Sequence, residues 1–391
     1  MMRKRLILYL FLCLALSVQA QQDWRNRVTQ RLDSLMQDEL LESAQIGMMV
    51  WDLNDDAVVY QHKPRYLMRT ASTMKALTAI TALDCLGGNY TLRTSLYYKG
   101  EVANGTLTGD LICVGGMDPL FDDADMLAMA ESVKALGVKT LRVRIVCDRS
   151  MKDDKPWGEG WCWDDENPTL SPLLVNTKEG FAQQLVNALL TMGLELAEVE
   201  VCDGLLPETG ATLLCTRTHT IDELLQTMMK DSDNLYAECL YYQIAASNGK
   251  RYATAADAQD VEMALLKKMG LDGHRYRLAD GSGLSLYNYL TPECETMLMR
   301  YAWKHPDIYN HLLPALPVAG VDGTLEKRMR KTAAQGNVQA KTGTVTGVST
   351  LTGFLTASNG HRLCFAIMTQ GLRKTAEGRR LQDSICVVLC E

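Results

Sequence analysis

Ser72 and Lys75, in Arg69-Thr-Ala-Ser72-Thr-Met-Lys75, stand three residues apart where an extended segment gives way to a helical pattern. On a helix that spacing puts both side chains on one face, roughly 5–6 Å apart at Cβ. A serine hydroxyl is a weak nucleophile until a base takes its proton, and a desolvated lysine can be that base. The pattern alone is cheap. It recurs at Ser247-Asn-Gly-Lys250, where Asn-Gly predicts a loop. Two other stretches occur once each. Lys230-Asp-Ser232-Asp-Asn234 adds a hydroxyl and a carboxamide on or beside a helix, and Lys341-Thr342-Gly343-Thr344 lies in a strand pattern. The latter offers a cation, hydroxyls and a glycine that lets a ligand approach the backbone. Taken singly, Ser232 reads equally as a helix-capping serine and Lys341 as a solvated strand charge.

The elements that must hold these groups follow from periodicity. Apolar residues at Leu32, Leu35, Met36, Leu40 and Leu41 predict a helix within Val28–Ser43. Ile46–Leu53 and Ala57–Tyr60, joined by Asn54-Asp-Asp56, predict a hairpin. Thr73–Leu86 reads as helix, closed by Gly87-Gly88, and from about Leu92 to Cys215 the texture is short strands mixed with helices. Thr220–Ile244 is helical, and strands return at Asn337–Val345, Ser349–Ala357 and Arg362–Thr369 before a last helix at Thr375–Cys390. The two ends share one character, so they are expected to pair in one sheet. This predicts a split domain, residues 21–91 with 217–391, interrupted by an inserted mixed α/β domain over 92–216.

Composition removes whole classes. The 391 residues are 47% hydrophobic and 22% charged, which excludes a disordered chain. Net charge is −7 without a Lys/Arg-rich run, which disfavours nucleic acid as a partner. Met-Met-Arg-Lys-Arg, an apolar run from Leu6 to Leu16 and small residues before Ala20 predict a cleaved signal peptide over 1–20 and a periplasmic protein. Cys13 lacks the small residues that precede a lipid-attachment cysteine. The cysteines sit mostly singly in apolar runs, Cys386 and Cys390 excepted, and do not read as a disulfide scaffold. Six scattered histidines without an HExxH motif predict no metal site, and no cofactor motif occurs. Gly281-Ser282-Gly283 lacks the first glycine of a nucleophile elbow and reads as a tight turn. Trp157, Trp161 and Trp163 offer either a sugar-binding strip or ordinary packing.

Ser-x-x-Lys, Ser-x-Asn and Lys-Thr-Gly in this order form the signature shared by penicillin-binding proteins and class A β-lactamases. Over most of its length the chain resembles the low-molecular-mass class C penicillin-binding proteins, the D-alanyl-D-alanine carboxypeptidase/endopeptidase family of serine peptidases. Gly115-Gly-Met-Asp-Pro119, Gly160-Trp-Cys-Trp-Asp164, Met229–Glu238, Asp280–Ser285 and Gly320–Thr324 are similar to family sequences. The resemblance implies an α/β (α+β) fold: a β-lactamase/transpeptidase-like domain, an antiparallel sheet flanked by helices, split by the inserted domain. The family's second, nested insert is missing here.

The resemblance also implies roles. Ser72 attacks the carbonyl between two terminal D-alanines, with Lys75 as general base. Ser232 and Lys341 relay a proton to the leaving amine, and Asn234 holds the substrate peptide and orients Lys75. Backbone N–H groups of Ser72 and Thr344 form the oxyanion hole, and Lys341, Thr342 and Thr344 grip the terminal carboxylate beside Gly343. Peptidoglycan stem peptides are the implied partners and β-lactams the implied covalent inhibitors. Asp148 matches the acidic residue that recognises the amine of the stem peptide's third residue. The aromatic that often follows is replaced by Met151 and Lys152, and Leu286 and Thr346 stand where relatives often carry Arg and Gln. Two other functions compete: a non-catalytic or slowly deacylating sensor, and a β-lactamase. The latter needs a carboxylate for its deacylating water, and no Glu-x-x-Leu-Asn stands between Asn234 and Lys341.

Overall fold

The structure, a computed structural model, describes residues 23–163 and 167–391. The expected signal peptide and Cys13 lie outside the described residues, as does Asp164. The described chain divides into two compact units.

The first unit comprises the described residues up to Thr73, Tyr289–Lys304 and Leu316–Glu391. Its sheet joins the two ends of the chain: β1 (Gln45–Asp52) and β2 (Ala57–His62) pair with β10 (Gln339–Val345), β11 (Val348–Thr356) and β12 (Arg362–Gln370) in the order β10-β11-β12-β1-β2. All four pairings are antiparallel, with Val50 opposite Phe365 at the β1–β12 seam. A short pair, β3 (Met68–Arg69) with β9 (Tyr289–Leu290), precedes the Ser72 turn. The strand pattern lacks clean alternation because both sheet faces are covered. Trp24, Val28 and Leu32 of helix α1 (residues 23–35) and Leu381, Ile385 and Leu389 of α10 (Thr375–Cys390) share one core with Ile46, Met48, Leu351 and Phe365. On α8 (Pro292–Lys304), Thr296 Oγ1 donates to Met49 O at 3.2 Å.

The opening helix ends earlier than the apolar period predicts. α1 stops at residue 35, and Asp38 then caps a separate 3₁₀ turn, Glu39–Glu42, by accepting from Leu40 N. A side chain that satisfies the orphan N–H groups of a new turn ends the old helix.

The second unit comprises Met74–Asn288 and His305–Ala315. Its sheet has the order β7-β6-β5-β4-β8, from β4 (Thr91–Ala103), β5 (Thr106–Val114), β6 (Thr140–Asp148), β7 (Glu195–Asp203) and β8 (Thr212–Thr220). β6 lies parallel to both β5 and β7. Parallel neighbours need crossovers, here α3 (Asp123–Lys134) and α4 (Phe181–Thr191), packed on the sheet through Phe121 and Phe181 with ring centroids 5.1 Å apart. The same unit holds α2 (Met74–Leu86), α5 (Ile221–Gln226), α6 (Asn234–Ala245), α7 (Ala255–Lys268) and α9 (Pro306–Ala315). Among the described residues, no helix is long and apolar enough to cross a membrane. None of the eleven described cysteines is in a disulfide.

Candidate active site

Ser72 sits in a 3₁₀ turn, Ala71–Thr73, that runs directly into α2. Ala71 has φ 46°, a left-handed conformation that alanine adopts only under constraint. The constraint is a knot of hydrogen bonds. Thr350 Oγ1 donates to Thr70 O at 2.7 Å, and Thr73 Oγ1 lies 2.7 Å from Thr70 O and 2.6 Å from Glu295 Oε1. Thr73 has one proton, and Thr70 O can only accept it. Burial pushes Glu295 up to about 8, so at neutral pH its carboxyl is protonated and supplies the second bond. Glu295 carries no sequence signal beyond being a buried acid on an amphipathic helix.

Against this turn lies β10. A Cβ on Gly343 would stand 2.1 Å from Thr350 Oγ1, 2.8 Å from Thr70 O and 2.9 Å from Ser72 N. Only glycine permits that approach, which brings the backbone of the Ser72 turn against the residue preceding Thr344. Gly343→Ala is expected to push the turn away and slow acylation on the order of 100-fold, the effect of misplacing a reacting group by about 1 Å. Penicillin acylation rates beside a thermal melt check it; a rate within threefold of wild type contradicts the close approach. β10 is an edge strand of its sheet, and Thr344 is exposed on it. Lys341 is buried and donates to Thr342 O at 2.8 Å, so it is not a solvated strand charge. Thr342 Oγ1 bonds Thr324 Oγ1 at 2.7 Å, and Arg379 donates to Thr344 Oγ1 at 3.3 Å. Arg379, which belongs to none of the three motifs, puts a further cation beside Thr344.

In the second unit, Lys75 is wholly buried near the start of α2. Its Nζ donates to Asn234 Oδ1 and to Ser282 O, both at 2.7 Å. Burial drives its pKa from 10.5 down to about 8, opposed in part by Asp280, Glu238 and Asp233. Such a lysine is a usable base near neutral pH.

The helix predicted over Thr220–Ile244 is interrupted where the second motif lies. After α5 the chain makes a π turn, Thr227–Asp231, then places Ser232 at φ 63° in the left-handed region. Asp233 caps α6 by accepting from Tyr236 N at 3.1 Å, which leaves Asn234 in its first turn. π turns and strained non-glycine residues cluster at functional sites. Ser232 is half-buried and closes the π turn, and the N-cap of α6 is Asp233 rather than Ser232.

The other candidates separate cleanly. Lys250 of the second Ser-x-x-Lys is exposed and paired with Asp257 at 2.7 Å, in a loop. Asp148 is buried, and its two oxygens accept from Ser150 N at 2.9 Å and Leu206 N at 2.7 Å. Trp163 is 82% exposed, whereas Trp161 Nε1 donates to Asp280 Oδ2 at 2.8 Å. Among the described residues, one group of three metal-ligand types exists, Asp52, Asp55 and His361. Arg25 pairs with both carboxylates at 3.4 and 2.8 Å, neutralising the charge a cation would need.

Residues 28–174 and 167–391 match the D-Ala-D-Ala carboxypeptidase 3 (S13) family. The chain belongs to that family. Among S13 relatives, it is 25% identical to the D-alanyl-D-alanine carboxypeptidase DacB of Haemophilus influenzae, covering 85% of this chain and 87% of that one. It is 28% identical to the D-alanyl-D-alanine carboxypeptidase of Actinomadura sp. (strain R39), covering 92% and 84%. The crystal structure of penicillin-binding protein 4 from H. influenzae superposes with TM-score 0.82 at 24% identity, covering 90% of this chain and 97% of that chain. The fold expected for an S13 member is thus the fold observed.

Proposed function

We propose that this S13 protein is a serine D,D-peptidase of peptidoglycan, cleaving at terminal D-alanyl-D-alanine through an acyl-enzyme on Ser72. The carrying observation is the buried Lys75 amine, held on two acceptors and made weakly basic by burial, in the helix that starts just after the Ser72 turn. S13 relatives are named D-alanyl-D-alanine carboxypeptidases, which supplies the reaction.

In this reading Lys75 takes the hydroxyl proton as Ser72 Oγ attacks the carbonyl carbon. The C–N bond to the last D-alanine then breaks, and its amine takes a proton passed through Ser232 and Lys341. N–H groups of Ser72 and Thr344 stabilise the oxyanion, an interaction worth about 3 kcal/mol in acyl transfer. Water hydrolyses the acyl-enzyme, or a second stem-peptide amine accepts the acyl group. Asn234 holds the substrate peptide while fixing Lys75, and Thr342 and Thr344 receive the terminal carboxylate, which Arg379 helps neutralise. Asp148, buried with both oxygens taken by backbone N–H groups, serves its own loop rather than the third-residue amine. A β-lactam acylates the same serine, as supported by the β-lactam complex of H. influenzae penicillin-binding protein 4. The basic apolar leader supports a periplasmic location, where that substrate is found.

Purified peptidoglycan incubated with the protein should release D-alanine from pentapeptides and convert crosslinked dimers to monomers, as read by muropeptide mass analysis. Unchanged muropeptides beside stable penicillin labelling would leave a sensor. Rapid loss of label would leave a β-lactamase.

A further inference from the structure

Asn234 and Glu238 lie four residues apart on α6 and so share one face. Asn234 meets Lys75 directly. Glu238, 1% exposed, does not; its Oε1 accepts from Ser282 N at 2.8 Å. The carbonyl of the same Ser282 is the second acceptor for Lys75 Nζ, at 2.7 Å. One helix face thus holds the lysine twice, once through a carboxamide and once through a backbone residue clamped by a carboxyl group.

The geometry has a consequence for base catalysis. An uncharged amine has two N–H donors and one lone pair, in a tetrahedral arrangement. When both donors point at fixed acceptors, the direction of the lone pair is fixed as well. Ser282 is therefore useful only while its peptide cannot rotate. The Asp280–Ser285 turn is built to prevent rotation: Asp280 accepts from Gly283 N and Ser285 N, both at 2.7 Å, and Thr78 Oγ1 donates to Gly281 O at 2.7 Å. Glu238 closes the remaining side by taking the Ser282 N–H.

We propose that Glu238 is a positioning residue for acylation: by holding the Ser282 peptide it aims the Lys75 amine. The inference rests on Lys75 acting as the base for Ser72. Charged groups facing the pair set its pH dependence. Lys75 faces Asp233 at the α6 cap, Glu238 and Asp280; Glu238 also faces Asp280, and Glu262 of α7 lies within its electrostatic reach. Burial and Asp280 push Glu238 up to about 8, so near neutrality it holds a proton. Ionised, it would hold Lys75 in the charged form that cannot accept one.

The test compares Glu238→Gln and Glu238→Ala in the full protein, using the second-order rate of acylation by a fluorescent penicillin from pH 6 to 9.5. Glutamine keeps the acceptor oxygen and is permanently uncharged. Glu238→Gln should stay within about threefold of wild type at pH 8.5, and the rise of rate with pH should move down by about half to one pH unit. Glu238→Ala should lose roughly ten- to a hundredfold at all pH values. Thermal melts confirm that both variants are folded. An alanine variant within twofold of wild type overturns the proposal. So does an equal loss in both variants with an unmoved pH profile, which would make Glu238 a packing residue only. Wild type that is not acylated at Ser72 at all would instead overturn the functional reading.

Discussion

Ser72→Ala is expected to abolish covalent retention of penicillin and to cut D-alanine release at least about 10⁴-fold, the scale on which loss of a catalytic serine acts. Without Oγ no acyl-enzyme can form on residue 72, and the hydroxyls of Thr73 and Thr350 beside it are committed elsewhere. Thr73 Oγ1 is committed between Thr70 O and Glu295, and Thr350 Oγ1 donates to Thr70 O. The substitution removes one oxygen from a half-buried residue and no core packing, so its cost in stability should stay within about 1 kcal/mol. Mass analysis of the protein after penicillin treatment reads the result directly: wild type gains the mass of the drug, and the variant gains none. A variant that still carries the adduct would remove Ser72 from the mechanism.

Lys75→Met should lower the acylation rate roughly 10²- to 10⁴-fold, the range a positioned general base contributes. Methionine suits the buried volume but cannot accept a proton. The wild-type pH profile gives a second reading of the same residue. Burial penalises the charged amine and brings its pKa to about 8, and only the free base can take the Ser72 proton. The acylation rate should therefore climb about tenfold per unit of rising pH below 8 and flatten above it. The variant's residual rate should lose this slope. A wild-type rate that is flat between pH 6 and 8 would show that Lys75 is not the base, whatever the variant does.

Much of the frame was legible because its signals are local. Strands at 339–345, 348–356 and 362–370 and the last helix follow from short apolar runs and the turn residues Ser358-Asn-Gly360, and each lies within two residues of its expected bounds. The pairing of β1 with β12 was legible too, since both ends of the chain carried the same texture. The break in Thr220–Ile244 was not. Periodicity continues through it, and the π turn and the strained Ser232 arise because Asp233 caps a new helix one residue later. Glu238 left only a faint signal, an acid among the buried residues of α6 spaced four from Asn234. Glu295 and Arg379 left none.

By itself the sequence determined the kinds of groups available, their order, and which local element carries each, because propensity and motif spacing act over a few residues. The tertiary structure decided what surrounds them. That an amine at Lys75 is buried and bound by Asn234 Oδ1 and Ser282 O, and that Gly343 leaves no room for a side chain beside Ser72 N, are consequences of packing between distant segments. Desolvation and hydrogen-bond direction depend on the distances between those segments, which no reading along the chain contains.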